Sequence, residues 1–560
     1  MSITRNQAIA KLTAPGQPFE LRDAAIHNIP VRTFVNAPQS LRALFEQNLS
    51  DATFIVYADE RYTFNDIYSR ACQLGHCLVQ EYGVVKGDRV AISMRNYPEW
   101  IISFMAATSV GAIAVAMNAW WEADEIEMGL ADCGAKVMLA DAERLARLRQ
   151  CKSVKAAIIA VRPDDTKHLG CALQDLLTAI PSDIPMPDVV IEPEDPATIF
   201  YTSGSTGFPK GAVASQRNIL SALFSWELDA QCAALISGVA PPEPVHQPAT
   251  LLAVPLFHAT GSHAVYLMSY RAQRKIVAMY KWDAEAAATL IEQEKISSFV
   301  APAAMTGDLV QAAQRTQRDL SSLVTVGGGG APRAPEQVKD IDATFSGAMP
   351  NTGWGMTETN AIGTGIGGPD YLERPASSGR ASAVCDLKIV DENGSELAAG
   401  ARGELLIRGV SVIQGYWQRP EANAETFTDG WLRTGDVAYL DEEGYLFIVD
   451  RIKDLIIRGG ENIGCGEVEA ALLEHPDVLE ASVYAIPDER MGEEVAATVY
   501  TSADAALDHQ TLNAFLAERL AKFKIPRYLN FTHESLPRIA SGKIFKRQLR
   551  EDALRKLEAL

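Results

Sequence analysis

The sequence predicts an α/β fold in which a large N-terminal domain of parallel or mixed sheets layered with helices precedes a small α+β domain. Its 560 residues are many for a single hydrophobic core. From residue 41 onward, short apolar runs alternate with helical patterns, as in parallel sheets covered by helices. After residue 450 the pattern becomes helix, strand and helix within a short span, so we place a domain boundary there.

The predicted elements of the large domain follow from apolar runs bounded by polar turns. Three such runs predict strands at 89–94, 137–140 and 156–161. The stretch 162–196 is rich in Pro and Asp and predicts a connector. Beyond the boundary, we expect helices at 467–475 and 511–520 around a strand at 481–486.

One apolar stretch is long enough to span a bilayer, because residues 100–121 carry no charge. Gly111 divides this stretch, and residues 112–117 have the composition of a buried strand. A core helix followed by a strand therefore explains it better than a membrane span. The sequence leaves peripheral membrane contact open.

Composition excludes some classes of function. The chain has 51 basic and 71 acidic residues, a formal charge of −20, and no basic run, so we expect no nucleic-acid partner. Its eight cysteines show no CxxC pair or metal-ligand spacing, and no signal peptide is evident. These features predict a cytoplasmic protein with reduced thiols.

The most informative segment is the loop at 201–211, which reads YTSGSTGFPKG. Glycines let backbone amides approach an anion, hydroxyls add donors, and Lys210 adds a positive charge, so this loop predicts a phosphate cradle. It is not a Walker A loop, because Pro209 stands where that motif requires glycine. A plain surface turn would explain the glycines and serines but not the apolar run 197–201, which predicts a buried strand leading into the loop.

Five further segments follow in order along the chain: NTGWGMTE at 351–358, GELLIRG at 403–409, WLRTGD at 431–436, DRIKD and RGGENI within 450–463, and PRIASGK at 537–543. With the phosphate loop, this series resembles the adenylate-forming (AMP-binding) superfamily, in its acyl-CoA synthetase or fatty-acid–CoA ligase branch. The match extends from about residue 62 to 550. By contrast, the GxGxxG pattern at 363–368 precedes Pro369 rather than a helix, and we discard it as a dinucleotide site.

The resemblance implies a two-step reaction with ATP, Mg²⁺ and coenzyme A as cofactors and a small carboxylic acid as substrate. The acid is adenylated with release of pyrophosphate, and the CoA thiol then displaces AMP. The implied domains are 1–449 for AMP binding and a mobile 454–560, joined by a hinge at 450–453. A homodimer remains open.

Residues that match the family's nucleotide contacts are expected to bind ATP and AMP: Thr202, Ser203, Gly204, Ser205, Thr206, Gly207, Lys210, Gly330, Ala331, Pro332, Trp354, Gly355, Met356, Thr357, Asp436 and Arg451. Trp354 would stack on adenine, where the family more often has Tyr, and Asp436 would accept hydrogen bonds from the ribose. Glu358 is the expected Mg²⁺ ligand, because phosphates repel a carboxylate unless a metal lies between them.

Lys543 is the expected catalytic cation, and the resemblance places it between the acyl carboxylate and the α-phosphate. With it, His258, Thr357 and Glu358 complete the predicted catalytic set. Lys453 matches the hinge about which the small domain rotates. That rotation would replace Lys543 with the thioester loop of Arg458, Gly459, Gly460 and Glu461, whose glycines leave room for a pantetheine arm.

The predicted acyl pocket comprises His258, Thr260, Met305, Gly328, Gly329 and Gly353. Amino-acid-activating relatives have Asp where this chain has His258, which disfavours α-amino acids. The several glycines suggest a roomy apolar channel for a medium or long fatty acid, and an aryl or cinnamate-like acid fits almost as well.

Two departures from the family pattern leave the adenylation residues intact. Gln216 stands where the family usually has His, and Gly464, Cys465 and Gly466 replace a Tyr-Pro pair near the thioester loop. Two other functions stay open: an acyl-AMP ligase that loads a carrier protein, and a nucleotide-binding regulator without turnover. Retention of the charged site residues disfavours the regulator.

Overall fold

The computed structural model describes residues 3–164, 169–202, 209–238, 243–329, 333–345, 347–459, 461–502, 505, 507–539 and 542–558. The strands are β1 Leu21–Ile26, β2 Ile29–Phe34, β3 Thr53–Tyr57, β4 Glu60–Thr63, β5 Arg89–Ser93, β6 Ile113–Ala116, β7 Val137–Asp141, β8 Ala157–Val161, β9 Cys171–Ala172, β10 Pro196–Thr202, β11 Lys210–Ser215, β12 Ala249–Leu252, β13 Lys275–Ala278, β14 Ser298–Ala301, β15 Thr325–Gly328, β16 Met349–Thr352, β17 Thr364–Gly367, β18 Gly379–Ala381, β19 Cys385–Val390, β20 Gly403–Gly409, β21 Gly415–Tyr416, β22 Phe427–Thr428, β23 Trp431–Leu440, β24 Tyr445–Arg451, β25 Ile456–Arg458, β26 Glu461–Ile463, β27 Val478–Asp488, β28 Gly492–Thr501 and β29 Tyr528–Thr532.

The α-helices of the described residues are α1 Arg5–Leu12, α2 Leu41–Gln47, α3 Phe64–Gln80, α4 Pro98–Ser109, α5 Ala123–Cys133, α6 Ala142–Leu148, α7 Leu173–Thr178, α8 Gln216–Ser237, α9 Met268–Arg271, α10 Ala284–Glu294, α11 Ala303–Thr316, α12 Pro335–Thr344, α13 Pro369–Glu373, α14 Pro420–Thr426, α15 Cys465–Leu473, α16 His509–Ala517 and α17 Lys546–Glu558. A π-helix at Thr260–Leu267 runs directly into α9.

Two large sheets form the N-terminal part. One has the strand order β21-β11-β10-β6-β5-β7-β8-β9, and its strands from β10 to β9 are parallel. The other contains a parallel half, β16-β15-β14-β12-β13-β3, that continues through antiparallel strands to β19. The main core contains residues of both sheets together with the buried faces of α3 and α4. This is the predicted α/β architecture, since apolar strands buried on both faces require helices on each side.

A smaller domain follows β24. Its sheet has the order β26-β25-β28-β27, with β29 pairing parallel to β28, and it has a separate core formed with α15 and α16. The predicted hinge 450–453 starts with the last two residues of β24 and ends before β25 begins at Ile456. An α+β domain therefore stands where the pattern change after residue 450 predicts one.

The charge-free stretch 100–121 is divided as the sequence predicts. Helix α4 and strand β6 are both buried, and the turn between them contains Gly111. The connector prediction for 162–196 was partly wrong, because Leu173 and Leu177 are buried on one face of α7 and stabilise a short helix there. Among the described residues, α8 is the one helix long and apolar enough by composition to cross a membrane, and half of that stretch is buried in the protein.

Candidate active site

The phosphate loop itself, from Ser203 to Gly207, lies outside the described residues, but both of its ends are described. Strand β10 delivers the loop and β11 receives it, with Thr202 paired directly opposite Lys210. The Thr202 hydroxyl donates to the Lys210 carbonyl at 3.3 Å. The predicted buried strand leading into the loop is thus present, and it sits between β11 and β6 in the sheet.

Lys210 and Glu358 both contact one tyrosine that the sequence did not single out. Tyr416 is on β21, which pairs with β11 so that Tyr416 lies opposite Ala212. The Nζ of Lys210 lies 5.2 Å from the centroid of the Tyr416 ring, a cation–π distance. The Tyr416 hydroxyl donates to Oε1 of Glu358 at 2.8 Å, which orients a carboxylate that is almost fully buried.

The neighbouring nucleotide residues form a second hydrogen-bonded group. The indole Nε1 of Trp354 donates to Oδ2 of Asp436 at 2.8 Å, and Nε of Arg451 lies 2.7 Å from Oδ1. The register of β23 and β24 places Asp436 opposite Arg451 and so dictates this pair. Burial raises the pKa of the Asp436 carboxyl above its usual value, although the guanidinium of Arg451 opposes that shift.

Trp354, which the sequence predicts to stack on adenine, is oriented by its hydrogen bond to Asp436. Its ring lies over Gly363, where a Cβ would stand 2.7 Å from Cε3. Gly355, Met356 and Thr357 follow it into a short 3₁₀ turn that ends with Glu358 and Thr359. One loop therefore presents the adenine, phosphate and metal candidates together.

Lys543 reaches this site from the small domain. Its side chain keeps access to solvent, although protein lies on most sides of the ammonium group. The adjacent Gly542 lies against Pro302 and Met305 of the large domain. Removal from water lowers the pKa of the Lys543 ammonium, and repulsion from Arg451 adds to this against the attraction of Asp436. The structure thus places the Lys543 ammonium within the electrostatic influence of Asp436 and Arg451.

His258 lies on the other side of the same cleft. Burial, with a smaller contribution from Lys543, lowers the pKa of His258 to about 4, so its imidazole is neutral near pH 7. Its Nε2 is buried without a hydrogen-bond partner among the described residues. A buried polar atom without a partner is a position that a substrate oxygen can satisfy.

The remaining acyl-pocket candidates gather around the start of the π-helix. A Cβ on Gly329 would stand 3.7 Å from Cγ2 of Thr260, the first residue of that helix. Gly328, at the end of β15, and Gly353, after β16, lie at the ends of neighbouring parallel strands. Ligands bind at such strand ends in open α/β sheets. These glycines therefore lie at neighbouring strand ends, close to the start of the π-helix.

The thioester loop does not share this cleft in the present arrangement. Arg458 pairs with the buried Glu494 of its own domain through contacts of 2.7 and 2.9 Å, and Gly459 and Glu461 are exposed. Lys453 is exposed at the boundary between the domains. The candidates Gly330, Ala331, Pro332 and Gly460 lie outside the described residues.

Two further contacts were not found from the sequence. Tyr416 belongs to a short Gly-Tyr strand without a recognisable spacing to Glu358, so only the sheet pairing reveals its role. His263, fully buried in the π-helix, lies 3.2 Å from Oδ1 of Asn360, two residues beyond Glu358. This contact joins the acyl-pocket helix to the loop that carries the metal candidate.

A magnesium ion fits the residues present. Among the described residues, no cluster of three or more His, Cys, Asp or Glu side chains could enclose a metal. Glu358 would then be the single carboxylate ligand, with its Oε2 free of the Tyr416 contact. Mg²⁺ commonly binds to one or two carboxylates with phosphates and water completing its shell.

Comparison with protein families gives two matches. The family described as AMP-binding enzyme matches residues 42–417, and the AMP-binding enzyme C-terminal domain matches residues 467–543. Together they include the ends of the phosphate loop, the Glu358 turn and Lys543.

Individual relatives act on different acids by name. The chain is 32% identical over 500 residues to feruloyl-CoA synthase of an Amycolatopsis species, covering 89% of this chain and 95% of that protein. It is 32% identical over 474 residues to long-chain-fatty-acid–CoA ligase FadD13 of Mycobacterium tuberculosis, covering 84% and 89%. The structure of anthranilate CoA ligase AuaEII with anthranoyl-AMP matches with a TM-score of 0.84 at 25% identity, covering 93% and 98%.

Proposed function

We infer the details of the reaction from one premise: this chain belongs to the AMP-binding enzyme family and is an AMP-forming acid–CoA ligase. The observation that carries the proposal is the convergence of Lys543, Asp436 and His258 on one cleft between the two domains. Adenylation requires a carboxylate to approach a phosphate, and it is limited by charge repulsion and by access of water. A cation and a neutral imidazole facing each other across a cleft meet that need.

In the proposed adenylation step, the acid's carboxylate lies between His258 and Lys543. The His258 Nε2 contacts one carboxylate oxygen, and the Lys543 ammonium offsets the charge of the carboxylate and the α-phosphate. The ribose hydroxyls donate to the oxygens of Asp436, which Arg451 and Trp354 hold in place. The carboxylate oxygen attacks the α-phosphorus, and pyrophosphate leaves.

Lys210 and Glu358 are proposed to act on the leaving pyrophosphate. Lys210 would neutralise phosphate charge directly, and Glu358 would hold Mg²⁺, which would supply further charge neutralisation when bound. In the second step the loop beside Gly459 and Glu461 faces the cleft, and the CoA thiol attacks the acyl carbonyl and displaces AMP. Arg458 anchors that loop through Glu494.

For the acid, we propose first the class that the sequence favours, a medium or long fatty acid, with an aryl acid as the alternative. Space beside Gly329, where the nearest atom to a Cβ would be Cγ2 of Thr260 at 3.7 Å, supports a pocket with room beyond the carboxylate. The names of the relatives include both substrate types, at nearly equal identity.

The reaction is tested by mass spectrometry of products from the purified protein with Mg-ATP, CoA and a panel of fatty and aryl acids. We expect an acyl-CoA together with AMP and pyrophosphate. Acyl-AMP that accumulates without acyl-CoA would contradict CoA as the acceptor and favour a carrier protein. ADP as the nucleotide product would contradict the adenylation step itself.

The magnesium role has its own test. We expect Glu358→Gln to raise the Mg²⁺ concentration needed for half-maximal pyrophosphate release by roughly tenfold or more, because one charged ligand is lost. Direct titration of Mg²⁺-dependent ATP binding by calorimetry gives a second readout. Tyr416→Phe is the matched variant, because it keeps the carboxylate and removes only its hydrogen bond. An unchanged Mg²⁺ requirement in Glu358→Gln would remove the metal role.

A further inference from the structure

Two arginines are buried in the described part of the chain, and they differ in how their charge is compensated. Arg144 has no exposed side-chain surface, and its Nη1 lies 2.9 Å from Oδ1 of Asp141 and 2.8 Å from Oε2 of Glu143. Arg333 is only 8% exposed, yet it forms no ion pair with any described residue. Buried charges in proteins are normally paired, so Arg333 requires an explanation.

The surroundings of Arg333 are polar but neutral. Its Nη2 donates to the Thr306 hydroxyl at 3.1 Å, and the buried phenol of Tyr371 lies beside it. Its Nε and Nη1 are buried without a hydrogen-bond partner among the described residues. An unsatisfied charged donor is costly, and sites that tolerate one are commonly completed by a ligand.

Arg333 lies directly behind the wall of the predicted acyl pocket. A Cβ on Gly328 would stand 3.1 Å from both Cζ and Nη2 of Arg333, and 3.0 Å from Oγ1 of Thr352. A side chain at position 328 would therefore crowd this guanidinium, and glycine leaves space for it. Thr306, the hydrogen-bond partner of Arg333, directly follows the pocket candidate Met305 on α11.

We propose that the acid activated by this enzyme carries a second carboxylate at its far end and that Arg333 pairs with that carboxylate. This proposal rests on the proposed function and narrows its substrate. Guanidinium and carboxylate match in a two-pronged geometry, and Nε with Nη1 is one of the edges that can form it. The hydroxyls of Thr306, Thr352 and Tyr371 would surround the pair. A fatty acid with a plain methyl end would leave the guanidinium with neutral partners alone.

The test compares acids of equal length that differ only at the far end. We would measure kcat/KM for pyrophosphate release with α,ω-diacids from succinate to dodecanedioate, with the matching monoacids, and with the monomethyl ester of each diacid. We expect the diacid of fitting length to exceed both its monoacid and its half ester by about ten- to a hundredfold, as for a buried charge-assisted hydrogen bond. Monoacids and half esters that equal or exceed every diacid would overturn the proposal on the wild-type enzyme alone.

Substitution then assigns the preference to the arginine. In Arg333→Met, which keeps the length and apolar volume of the side chain, the diacid preference should vanish while activity with the monoacid persists or rises. Arg333→Lys keeps the charge without the fork and should retain part of the preference. Equal losses with diacid and monoacid in Arg333→Met would show a packing role and overturn the proposal.

The two levels of inference fail in different ways. If monoacids support pyrophosphate release as well as diacids do, the distal carboxylate is rejected and the ligase reaction is retained. No pyrophosphate release with any acid of the series, or of the fatty and aryl panel, would reject the proposed reaction and this inference with it.

Discussion

Two loops of the small domain are assigned to different half-reactions, and they differ in what they contact. The loop that ends at Lys543 contacts the large domain through Gly542, Pro302 and Met305, and its lysine faces Asp436. The loop of Arg458 and Gly459 lies on the surface of the small domain, with its arginine occupied by Glu494. One loop is in the cleft and the other is outside it.

From this difference we expect that one domain arrangement serves only one half-reaction. In the arrangement seen here the cleft contains the cation proposed for adenylation, and the loop proposed for thioester formation would need the small domain to turn about residues 450–453. Substitutions in the two loops should therefore separate the two half-reactions.

Lys543→Ala should produce the sharpest separation. We expect pyrophosphate release to fall by about 100- to 1,000-fold, as when one preorganised electrostatic contact is removed from an active site. Conversion of supplied acyl-AMP and CoA to acyl-CoA should persist. Lys522→Ala, at an exposed lysine in the same domain, is the control and should leave both half-reactions unchanged. Near-normal pyrophosphate release by Lys543→Ala would contradict the assignment of Lys543 to adenylation.

Arg458→Met tests whether this arginine is an anchor within its own domain. Glu494 is almost fully buried, and without Arg458 its remaining partner among the described residues is Arg527 at 3.6 Å. Loss of the closer arginine should lower the free energy of unfolding by about 1–2 kcal/mol while adenylation is unchanged. Denaturant unfolding gives the first quantity and pyrophosphate release the second. Arg490→Met serves as the exposed control. A raised KM for CoA with unchanged stability would instead make Arg458 a direct CoA contact.

Gly459→Ala should slow only the thioester step. Gly459 has φ +59°, and a Cβ there would stand 2.5 Å from Cε of Met491, so alanine strains the loop. We expect about a fivefold loss of thioester formation, equivalent to about 1 kcal/mol of backbone strain. Gly394 also has a left-handed backbone, with open space around it. Gly394→Ala therefore controls for the backbone strain that alanine causes at a positive φ. Equal slowing of adenylation would show that the loop acts in both steps.

The pH dependence sharpens the role of the adenylation side of the cleft. Because the pKa of His258 is lowered from 6.5 to about 4, its imidazole stays neutral as the pH falls through that interval. The ratio of wild-type to His258→Gln pyrophosphate release should therefore stay constant from pH 6.5 down to about 4. The unfolded chain takes up the proton in the same interval, so His258 makes the folded state less stable as pH falls. A rate limb near pH 6.5 that disappears in the variant would contradict a neutral His258.

Much of the fold could be predicted from the sequence because its signals are local. The strands at β5, β7 and β8 and the division of residues 100–121 follow from apolar runs and from Gly111, and each is present. The short helix α7 was missed because two leucines in a Pro- and Asp-rich stretch are too weak a pattern to predict burial. Packing against the sheet, rather than propensity, decides that segment.

The site was predicted through motifs, and its missing members are those that only tertiary pairing brings together. Tyr416 lies 58 positions from its partner Glu358, and the two meet because β21 pairs with β11. Arg333 resembles any arginine before a helix until the structure shows that it is buried without a carboxylate. Sequence patterns identify groups by type, whereas compensation of charge is a property of the packed chain.

Tyr416 has one more consequence, which concerns the state before any nucleotide arrives. A lysine and a glutamate in the same site would ordinarily neutralise each other, and an incoming triphosphate would first have to separate them. Here Lys210 lies over the face of the Tyr416 ring, and Glu358 accepts a hydrogen bond from the Tyr416 hydroxyl. Each charged group therefore has the tyrosine as a neutral partner. Lys210 would thus remain available to the phosphates, and Glu358 to the cation that accompanies them.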